Sequence, residues 1–334
     1  MFQARPAVDM MMKSIRDGRR FFISCFFFLL FLCVLASINE LRFDGRLMKF
    51  HKCAFSDSNT TTHIDISSKQ DLPSSSAAAA DGGEIRILVG ILTLPDQYRK
   101  RHFLRLVYGT QSPRGAKVDV KFVFCNLTKE DQKTLVALEI MRHDDIIILD
   151  CQENMNNGKT YTFFSSLPEI LGGGGGGRPY DYVMKADDDT YLRLENLVAS
   201  LTPLPRQDLY YGFVIPCTSM DPFKHYMSGM GYLISWDLVE WIRESDIPKA
   251  NVEGPEDKVL GEWLRDGRRG LNRFNAKWSM YNFPVEPPND GCSHEFWPET
   301  VAVHQLKTQE KWIRTLSYFN VTRDLMPSKL YHIQ

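Results

Sequence analysis

The feature that most limits the fold of this chain is an alternation of apolar runs and helix-like segments after residue 84. The run from Ile85 to Leu92 is compact and apolar, which is typical of a strand buried on both faces. The other predicted strands lie at 118–125, 145–149 and 180–186, and the predicted helices lie at 96–108, 129–142 and 159–171. A cap at Thr128 begins the second of these helices. This order predicts an α/β domain with a mostly parallel sheet.

A second constraint lies near the N-terminus, where residues 21–38 form an uncharged apolar stretch. As a helix it would cover about 27 Å, enough to span the hydrocarbon of a bilayer. Basic residues between positions 13 and 20 precede it, so the positive-inside rule predicts a cytosolic N-terminus and a lumenal body, the type II topology. The alternative is a cleaved signal peptide, because Ala36 and Ser37 are small residues near a possible cleavage site.

The segment after the apolar stretch has the composition of a linker. Residues 56–83 are rich in Ser, Thr, Ala and Gly and have little to bury. We therefore divide the chain into a cytosolic tail at 1–20, a signal anchor at 21–38, a stem at 39–83 and a folded domain at 84–334. Within that domain, the glycine run at 172–177 is expected to form an exposed loop.

Sequons and cysteines agree with a secretory-pathway protein. Asn-x-Thr sequons begin at Asn59, Asn126 and Asn320. Two of the seven cysteines lie in the apolar stretch, which leaves five in an oxidising compartment. That number permits two disulfides and one further thiol, and the pairing stays open.

Charge excludes one class of partner. The chain has 40 Lys and Arg against 41 Asp and Glu, a formal net charge of −1. It therefore lacks a global basic field that would attract nucleic acid, and we expect no nucleic-acid partner.

Three consecutive aspartates, Asp187, Asp188 and Asp189, follow the predicted strand at 180–186. Ligands of open α/β sheets bind at the carboxyl ends of the strands. Neighbouring carboxylates repel one another unless a cation or strong donors compensate them, and oxygen ligands suit Mg²⁺ or Mn²⁺. The alternative is an acidic turn that caps a helix beginning near Leu192. The triplet alone leaves both interpretations open.

Three later segments contribute further candidates. Segment 227–232 contains two glycines, where the backbone could approach a ligand closely or simply turn. Glu256 and Asp257 open an amphipathic helix, where acidic residues also commonly complement the helix dipole. His304 follows a strand-like run at 300–303, and a histidine at such a position is more often structural than a ligand.

Taken in order, these motifs resemble glycosyltransferase family 31, the β-1,3-galactosyltransferase and β-1,3-N-acetylglucosaminyltransferase group, and most closely its plant members. The resemblance covers residues 84–304. Segment 183–191 is similar to the family's metal motif, 228–232 to its Ser-Gly-x-Gly-Tyr block, and 256–259 to its Glu-Asp-Val block with Lys258 inserted. Segment 100–108 is similar to the basic pattern Arg-Arg-x-x-Ile-Arg-x-Thr-Trp, with Val107-Tyr108 at its end.

The resemblance implies a GT-A fold, with a single mixed, mostly parallel sheet flanked by helices. It implies an inverting, metal-dependent hexosyltransferase of the Golgi membrane that uses UDP-galactose, with UDP-N-acetylglucosamine or a non-catalytic role as alternatives. The acceptor would be a glycan or glycoprotein. Asp189 would be the principal ligand of Mn²⁺ or another divalent cation, with Asp187 and His304 beside it, and Asp257 would be the general base.

The remaining candidates concern the two substrates. The predicted donor-binding residues are Asp188, Arg101, Arg105 and Lys185. Lys159 is a further basic candidate, and the basic residues lie near predicted strand or helix ends. An acceptor or sugar loop is assigned to Ser228, Gly229, Gly231 and Glu256.

Overall fold

The computed structural model describes residues 83–172, 177–285 and 291–326. The predicted tail, signal anchor and most of the stem lie outside these residues, as does most of the glycine run, so the domain boundaries stay predictions. Among the described residues, no helix is both long enough and apolar enough to cross a membrane.

The predicted strands and helices are confirmed, with ends that differ by at most two residues. The strands are β1 Ile85–Leu92, β2 Ala116–Cys125, β3 Ile146–Leu149, β4 Tyr182–Asp187, β5 Tyr191–Leu192, β6 Leu209–Ile215, β7 Tyr226–Ser235, β8 Asn272–Asn275, β9 Met280–Asn282 and β10 Ala302–His304. The helices are α1 Tyr98–Gly109, α2 Glu130–His143, α3 Lys159–Leu171, α4 Leu194–Leu201, α5 Trp236–Glu244, α6 Asp246–Ala250, α7 Glu256–Asp266 and α8 Gln309–Tyr318.

The main sheet has seven strands in the order β3-β2-β1-β4-β7-β6-β8. The pairs among β3, β2, β1 and β4 are parallel, as is the pair β6 and β8, whereas β7 is antiparallel to both of its neighbours. This is the mixed, mostly parallel sheet that the alternation of strands and helices predicts.

The prediction of a single sheet is wrong, because the structure contains a second sheet of three strands in the order β5-β10-β9. Strand β10 is antiparallel to β5 and parallel to β9. These strands have two or three residues each, too few for an alternating pattern to reveal them. The small sheet matters for the site because it brings residue 304 next to the end of β4.

A hydrophobic core lies on each face of the main sheet. On β1, Val89 and Ile91 belong to one core and Leu88 and Leu92 to the other, as side-chain alternation along a strand requires. Helices α1, α4 and α8 contribute buried residues to the first core, and α3, α5 and α7 contribute them to the second. At Gly90 a Cβ would lie 2.3 Å from the ring of Phe163, so glycine allows α3 to pack closely on the sheet.

Two details differ from the sequence prediction. Helix α2 has Lys129 rather than Thr128 at its N-cap, and the Gln132 side chain accepts hydrogen bonds from the backbone N–H groups of both residues. The predicted Thr128 cap is therefore wrong, because a downstream amide satisfies this helix end instead. Segment 227–232 is part of strand β7, so the interpretation of this segment as a turn is also wrong.

The two disulfides that the cysteine count permits are present. Cys125 pairs with Cys151, and Cys217 pairs with Cys292. The first disulfide joins the end of β2 to the loop before α3. In that loop the Glu153 carboxylate accepts a hydrogen bond of 2.7 Å from the Cys125 backbone N–H. This disulfide therefore fixes the loop that leads into α3.

We expect Cys151→Ser to lower the free energy of unfolding by about 3 kcal/mol, because the disulfide closes a loop with a sequence separation of 26 residues in the unfolded chain. Denaturant unfolding followed by tryptophan fluorescence measures the difference. The difference from the parent protein should disappear under reducing conditions. Equal stability of the two proteins under oxidising conditions would contradict the prediction.

Candidate active site

The carboxylates of Asp187 and Asp189 meet the His304 imidazole where β4 and β10 end. One ligand atom from each of the three side chains lies within 4.8 Å of the others. A backbone hydrogen bond keeps the two segments together, because Leu306 N–H donates to the Asp189 carbonyl at 3.0 Å. Asp189 itself is buried, with 8% of its surface exposed. The structure thus brings together all three residues that the sequence proposes as metal ligands.

Asn282 on β9 sets the orientation of the His304 ring. Its Oδ1 lies 2.9 Å from His304 Nδ1, so Nδ1–H donates to the amide oxygen. Nε2 then faces the carboxylates, 3.2 Å from Asp189 Oδ1 and 3.6 Å from Asp187 Oδ2. An imidazole that donates from one nitrogen to a fixed acceptor presents its other nitrogen as a metal ligand.

Electrostatics in the cluster favour charged carboxylates and a protonated imidazole when no metal is bound. Burial opposes the charged forms, but the hydrogen bonds with Asp187 and Asp189 raise the pKa of His304 above its usual value. Against the same burial, Lys185 and His304 hold the pKa of Asp187 well below its usual range. Burial likewise opposes ionisation of Asp189, yet the His304 contact lowers its pKa.

These three side chains fit a divalent metal ion. Two carboxylates, of which that of Asp189 is buried, and the Nε2 of one imidazole offer oxygen and nitrogen ligands, a set that suits Mn²⁺ and related ions. When protonated, His304 Nε2 donates toward the same carboxylates that would hold the ion, so the ion would have to displace this proton.

The middle aspartate is held differently from its neighbours. Thr93 Oγ1 donates to Asp188 Oδ2 at 2.8 Å, and Lys100 Nζ lies 2.7 Å from Asp188 Oδ1. Thr93 follows the end of β1, and Lys100 lies in the first turn of α1. The Asp188 carboxylate therefore lies at the end of β1, the strand that runs parallel to β4. Its predicted contact with a donor substrate stays a prediction.

Lys185 lies at the centre of the site, and its contacts are not those expected of a donor-binding residue. Its ammonium group lies 2.6 Å from Asp187 Oδ1, 2.6 Å from Glu256 Oε1 and 2.8 Å from the Gly229 carbonyl. The side chain is fully buried. Burial opposes its charge, but Asp187 and Glu256 raise the pKa of Lys185 above its usual value. With three acceptors, this ammonium has no donor left for a diphosphate.

Glu256 and Asp257, the first residues of α7, lie on the other side of Lys185. Glu256 is held by Lys185 and by the Tyr232 hydroxyl, which donates to Oε2 at 2.6 Å. Asp257 Oδ2 accepts from the Gly229 N–H at 3.1 Å, and its Oδ1 accepts from the Lys258 N–H at 2.8 Å. Gly229 therefore contacts Lys185 through its carbonyl and Asp257 through its N–H.

Only glycine fits at position 229 in this arrangement. A Cβ there would lie 2.6 Å from Glu256 Oε1 and 3.3 Å from Lys185 Nζ. The sequence suggested that the backbone at Gly229 could approach a ligand closely. In the structure it approaches the side chains of Glu256 and Lys185.

Gly231 and Ser228 of the expected sugar loop also make contacts within the protein. At position 231 a Cβ would lie 2.7 Å from Met184 Cε, so Gly231 makes room for the core. Ser228 Oγ accepts from the Met230 N–H at 3.4 Å, within the same strand. Both residues belong to β7 and not to a loop, and their predicted contact with a sugar stays a prediction.

The assignment of Arg101 and Arg105 to donor binding is also corrected. Arg101 is fully buried and contacts Glu139 at 2.6 Å and the Leu94 carbonyl at 2.6 Å. Arg105 forms ion pairs of 2.7 Å with both Glu139 and Asp145. These guanidinium groups tie α1 to α2 and to the start of β3, so they are engaged in structural contacts.

Several residues that build the site have no sequence signal of their own. Asn282 lies on a three-residue strand, and Thr93 resembles an ordinary strand residue. Lys159 was a basic candidate, but it is buried, and its ammonium group is held by Glu153 and, at 2.8 Å, by the Thr93 carbonyl. A buried lysine among apolar strand residues, such as Lys185 in β4, is the one signal that could have suggested a buried ion pair.

Comparison with known proteins identifies a family that is similar to part of this chain. Residues 99–219 match the sequence model of the family described as Galactosyltransferase. The match includes the aspartate triplet and ends before Gly229, Asp257 and His304. It confirms the resemblance to the galactosyltransferase family that the motifs carry, and it supports a hexosyltransferase.

Two relatives are similar to this chain in sequence, and one solved structure was found by its fold. β-1,3-Galactosyltransferase 6 of Mus musculus is 28% identical over 222 residues, which cover 59% of this chain and 65% of the mouse protein. β-1,3-Galactosyltransferase pvg3 of Schizosaccharomyces pombe is 23% identical over 288 residues, 70% of this chain and 74% of that protein. The solved galactosyltransferase LgtC with donor and acceptor sugar analogues superposes with a TM-score of 0.39 at 13% identity, covering 73% of this chain and 97% of LgtC.

We expect Lys185→Met to lower the free energy of unfolding by about 3–5 kcal/mol, because it leaves Asp187 and Glu256 near each other without their shared cation. Denaturant unfolding measures this loss. Lys100→Met is the matched control, because Lys100 is 33% exposed in its pair with Asp188 and should contribute no more than about 1 kcal/mol. A loss for Lys185→Met as small as that of the control would contradict the central role of Lys185.

We expect Mn²⁺ affinity to rise with pH until the raised pKa of His304 is passed, because the metal must displace the His304 proton. The proton stabilises the metal-free protein below the unfolded pKa of about 6.5, and this stabilisation is lost as pH rises through the folded pKa. Both aspartate pKa values are lowered, so their carboxylates stay ionised above pH 6.

Calorimetric titration with Mn²⁺ from pH 6 to pH 8 measures this dependence. His304→Gln should bind the ion more weakly and with an affinity that does not change over this range. The exposed His102→Gln is the control and should keep the slope of the parent protein. A slope that persists in His304→Gln would show that another group carries the proton.

Proposed function

We propose that this protein is an inverting hexosyltransferase that moves galactose from UDP-galactose to a hydroxyl group of a glycan or glycoprotein and forms a β-1,3 linkage. One observation carries the proposal. The acidic metal site of Asp187, Asp189 and His304 and the carboxylate of Asp257 belong to one hydrogen-bonded group, joined through Lys185 and Gly229. Together these residues supply a centre for a diphosphate leaving group and a base for an incoming hydroxyl.

The donor half consists of the aspartates and His304. We propose that Asp189, Asp187 and His304 hold Mn²⁺ or a similar divalent ion, and that Asp188 contacts the ribose or diphosphate of the donor. Such an ion, when bound, offsets the negative charge of the departing diphosphate, so that no protein acid is needed there. The chain's own contribution is to hold its ligands in place, with Asn282 fixing the His304 ring and Lys185 fixing Asp187.

The acceptor half depends on Asp257. Two backbone N–H groups hold its oxygens in place, those of Gly229 and Lys258. Each carboxylate oxygen keeps a further lone pair, which can accept the proton of an acceptor hydroxyl during attack on the anomeric carbon. Attack on the face opposite the leaving diphosphate inverts the configuration and gives the β linkage.

We also propose that the protein is a single-pass type II protein of the Golgi membrane, anchored by residues 21–38, with residues 84–334 in the lumen. The proposal rests on the apolar stretch with its preceding basic residues. The two intrachain disulfides are consistent with an oxidising compartment.

A donor screen tests the proposed reaction. Purified protein is incubated with UDP-galactose, UDP-N-acetylglucosamine, UDP-N-acetylgalactosamine and UDP-glucose, with and without Mn²⁺, and UDP release is measured. We expect turnover that requires the metal and is fastest with UDP-galactose. Asp189→Ala should abolish it while the fold is kept, because the Leu306 contact uses the Asp189 backbone carbonyl. Metal-dependent turnover in that variant would contradict the metal assignment, and no turnover with any donor would favour a non-catalytic protein.

A second prediction separates the role of Asp257 from that of the metal site. Asp257→Asn should lower transfer by about 10²–10⁴-fold, because an amide cannot take the hydroxyl proton. Its oxygen still accepts from the Gly229 N–H, so affinities for UDP and Mn²⁺ should match those of the parent protein. Transfer rates and calorimetric titrations measure the two effects. If the variant instead loses metal binding, Asp257 belongs to the metal site.

A further inference from the structure

A small basic cavity of about 130 Å³ lies along α7, from Lys258, the residue after Asp257, to Arg265. Four cationic side chains and the carboxylate of Glu262 line it. Lys258 pairs with Glu262 at 3.6 Å and Arg265 pairs with Asp266 at 3.0 Å, whereas the other two cations have no such pair among the described residues. The cationic residues are Lys224, Lys258, Arg265 and Arg273. The chain as a whole is almost neutral, so this concentration of positive charge is local.

Arg273 adds a charge without a carboxylate partner. Its guanidinium group is partly buried, and it donates to the carbonyls of Gly270 at 2.8 Å and Pro222 at 2.9 Å. It also lies over the rings of Phe223 and Tyr210. Among the described residues, no acidic group lies within ion-pair distance of it. Burial lowers the pKa of Arg273, so an anion in the cavity would offset part of the burial cost of this charge.

The cavity adjoins the proposed base through Lys258 and Tyr226. Lys258 directly follows Asp257 in α7, and its backbone N–H donates to the Asp257 carboxylate. Tyr226, at the start of β7, packs against α7 so closely that a Cβ on Gly261 would lie 2.4 Å from Tyr226 Cβ. Phe223 is exposed beside it. The cavity therefore offers aromatic surface as well as positive charge.

We propose that this cavity is an acceptor subsite for an anionic saccharide, in which a carboxylate or sulfate on the acceptor glycan lies among Lys224, Lys258, Arg265 and Arg273. The proposal rests on the proposed function, because Asp257 must face the acceptor hydroxyl. The aromatic rings of Tyr226 and Phe223 favour a sugar over an acidic peptide, since ring faces pack against the apolar faces of pyranoses. Lys258, the residue inserted in the Glu-Asp-Val block, would give this chain its preference for charge.

Binding of a matched pair of acceptors tests the subsite. Benzyl galactobioside and the same compound with one 6-O-sulfate are titrated into the full-length protein with UDP and Mn²⁺ present. We expect the sulfated compound to bind about tenfold more tightly at low salt, equivalent to about 1.4 kcal/mol. Raising NaCl to about 0.5 M should remove most of the difference. Equal affinities at low salt would overturn the proposal.

A charge-reversal variant locates the effect. Lys224→Glu combined with Arg265→Glu should lose the preference for the sulfated compound and keep the affinity for the neutral one within about twofold. Lys249→Glu, an exposed position on α6 outside the cavity, is the control and should keep the preference. A preference that survives the double change would place the anion elsewhere. Inorganic sulfate is the third probe, and competition by sulfate at the affinity of the sulfated galactobioside would reduce the cavity to a general anion site.

The outcome separates this inference from the proposed function. Metal-dependent UDP release with equal affinity for both acceptors would rule out the anionic subsite but support the proposed transferase activity. Selective binding of the sulfated compound without turnover of any UDP-sugar would contradict the proposed transferase activity but support a binding site for an anionic glycan.

Discussion

The buried ammonium group of Lys185 is the contact on which the rest of the site depends. It lies between Asp187 and Glu256, and it also donates to the Gly229 carbonyl. A buried carboxylate without a partner is costly, and here one cation offsets two of them. Without this shared charge, the end of β4 and the start of α7 would bring two negative groups close together. The metal site and the proposed base thus share one electrostatic centre.

The sheet topology explains why these residues meet. Parallel strands β1 and β4 place Thr93 and Asp187 at the same edge, where ligands of α/β sheets bind. The antiparallel β7 then carries Gly229 alongside β4, and the small sheet adds His304 from a distant part of the chain. The loop fixed by the Cys125–Cys151 disulfide supports α3, whose Lys159 is buried beneath the same edge.

Much of this arrangement could be predicted from the sequence. Apolar runs and helical periodicity predicted the main strands and helices, and the position of the aspartates after β4 predicted the site. The small sheet could not be predicted, because two- and three-residue strands carry no periodicity. The roles of Arg101, Arg105 and Lys185 were missed for another reason. A basic residue near a helix end looks the same in sequence whether it faces a phosphate or a buried carboxylate, and only its partners Glu139, Asp145 and Glu256 decide.

The central claim is that Lys185 couples the metal half of the site to the base half. A double-mutant cycle of Asp187→Asn and Glu256→Gln, measured as free energies of unfolding in the parent protein and in the Lys185→Met background, tests it most directly. In the parent protein, the double variant should lose at least about 1 kcal/mol more than the sum of the single variants, because both carboxylate partners of a buried cation are then gone. In the Lys185→Met background each single variant should instead gain stability, because it removes one of two neighbouring carboxylates that then repel each other. Additive losses in the parent protein would contradict the claim.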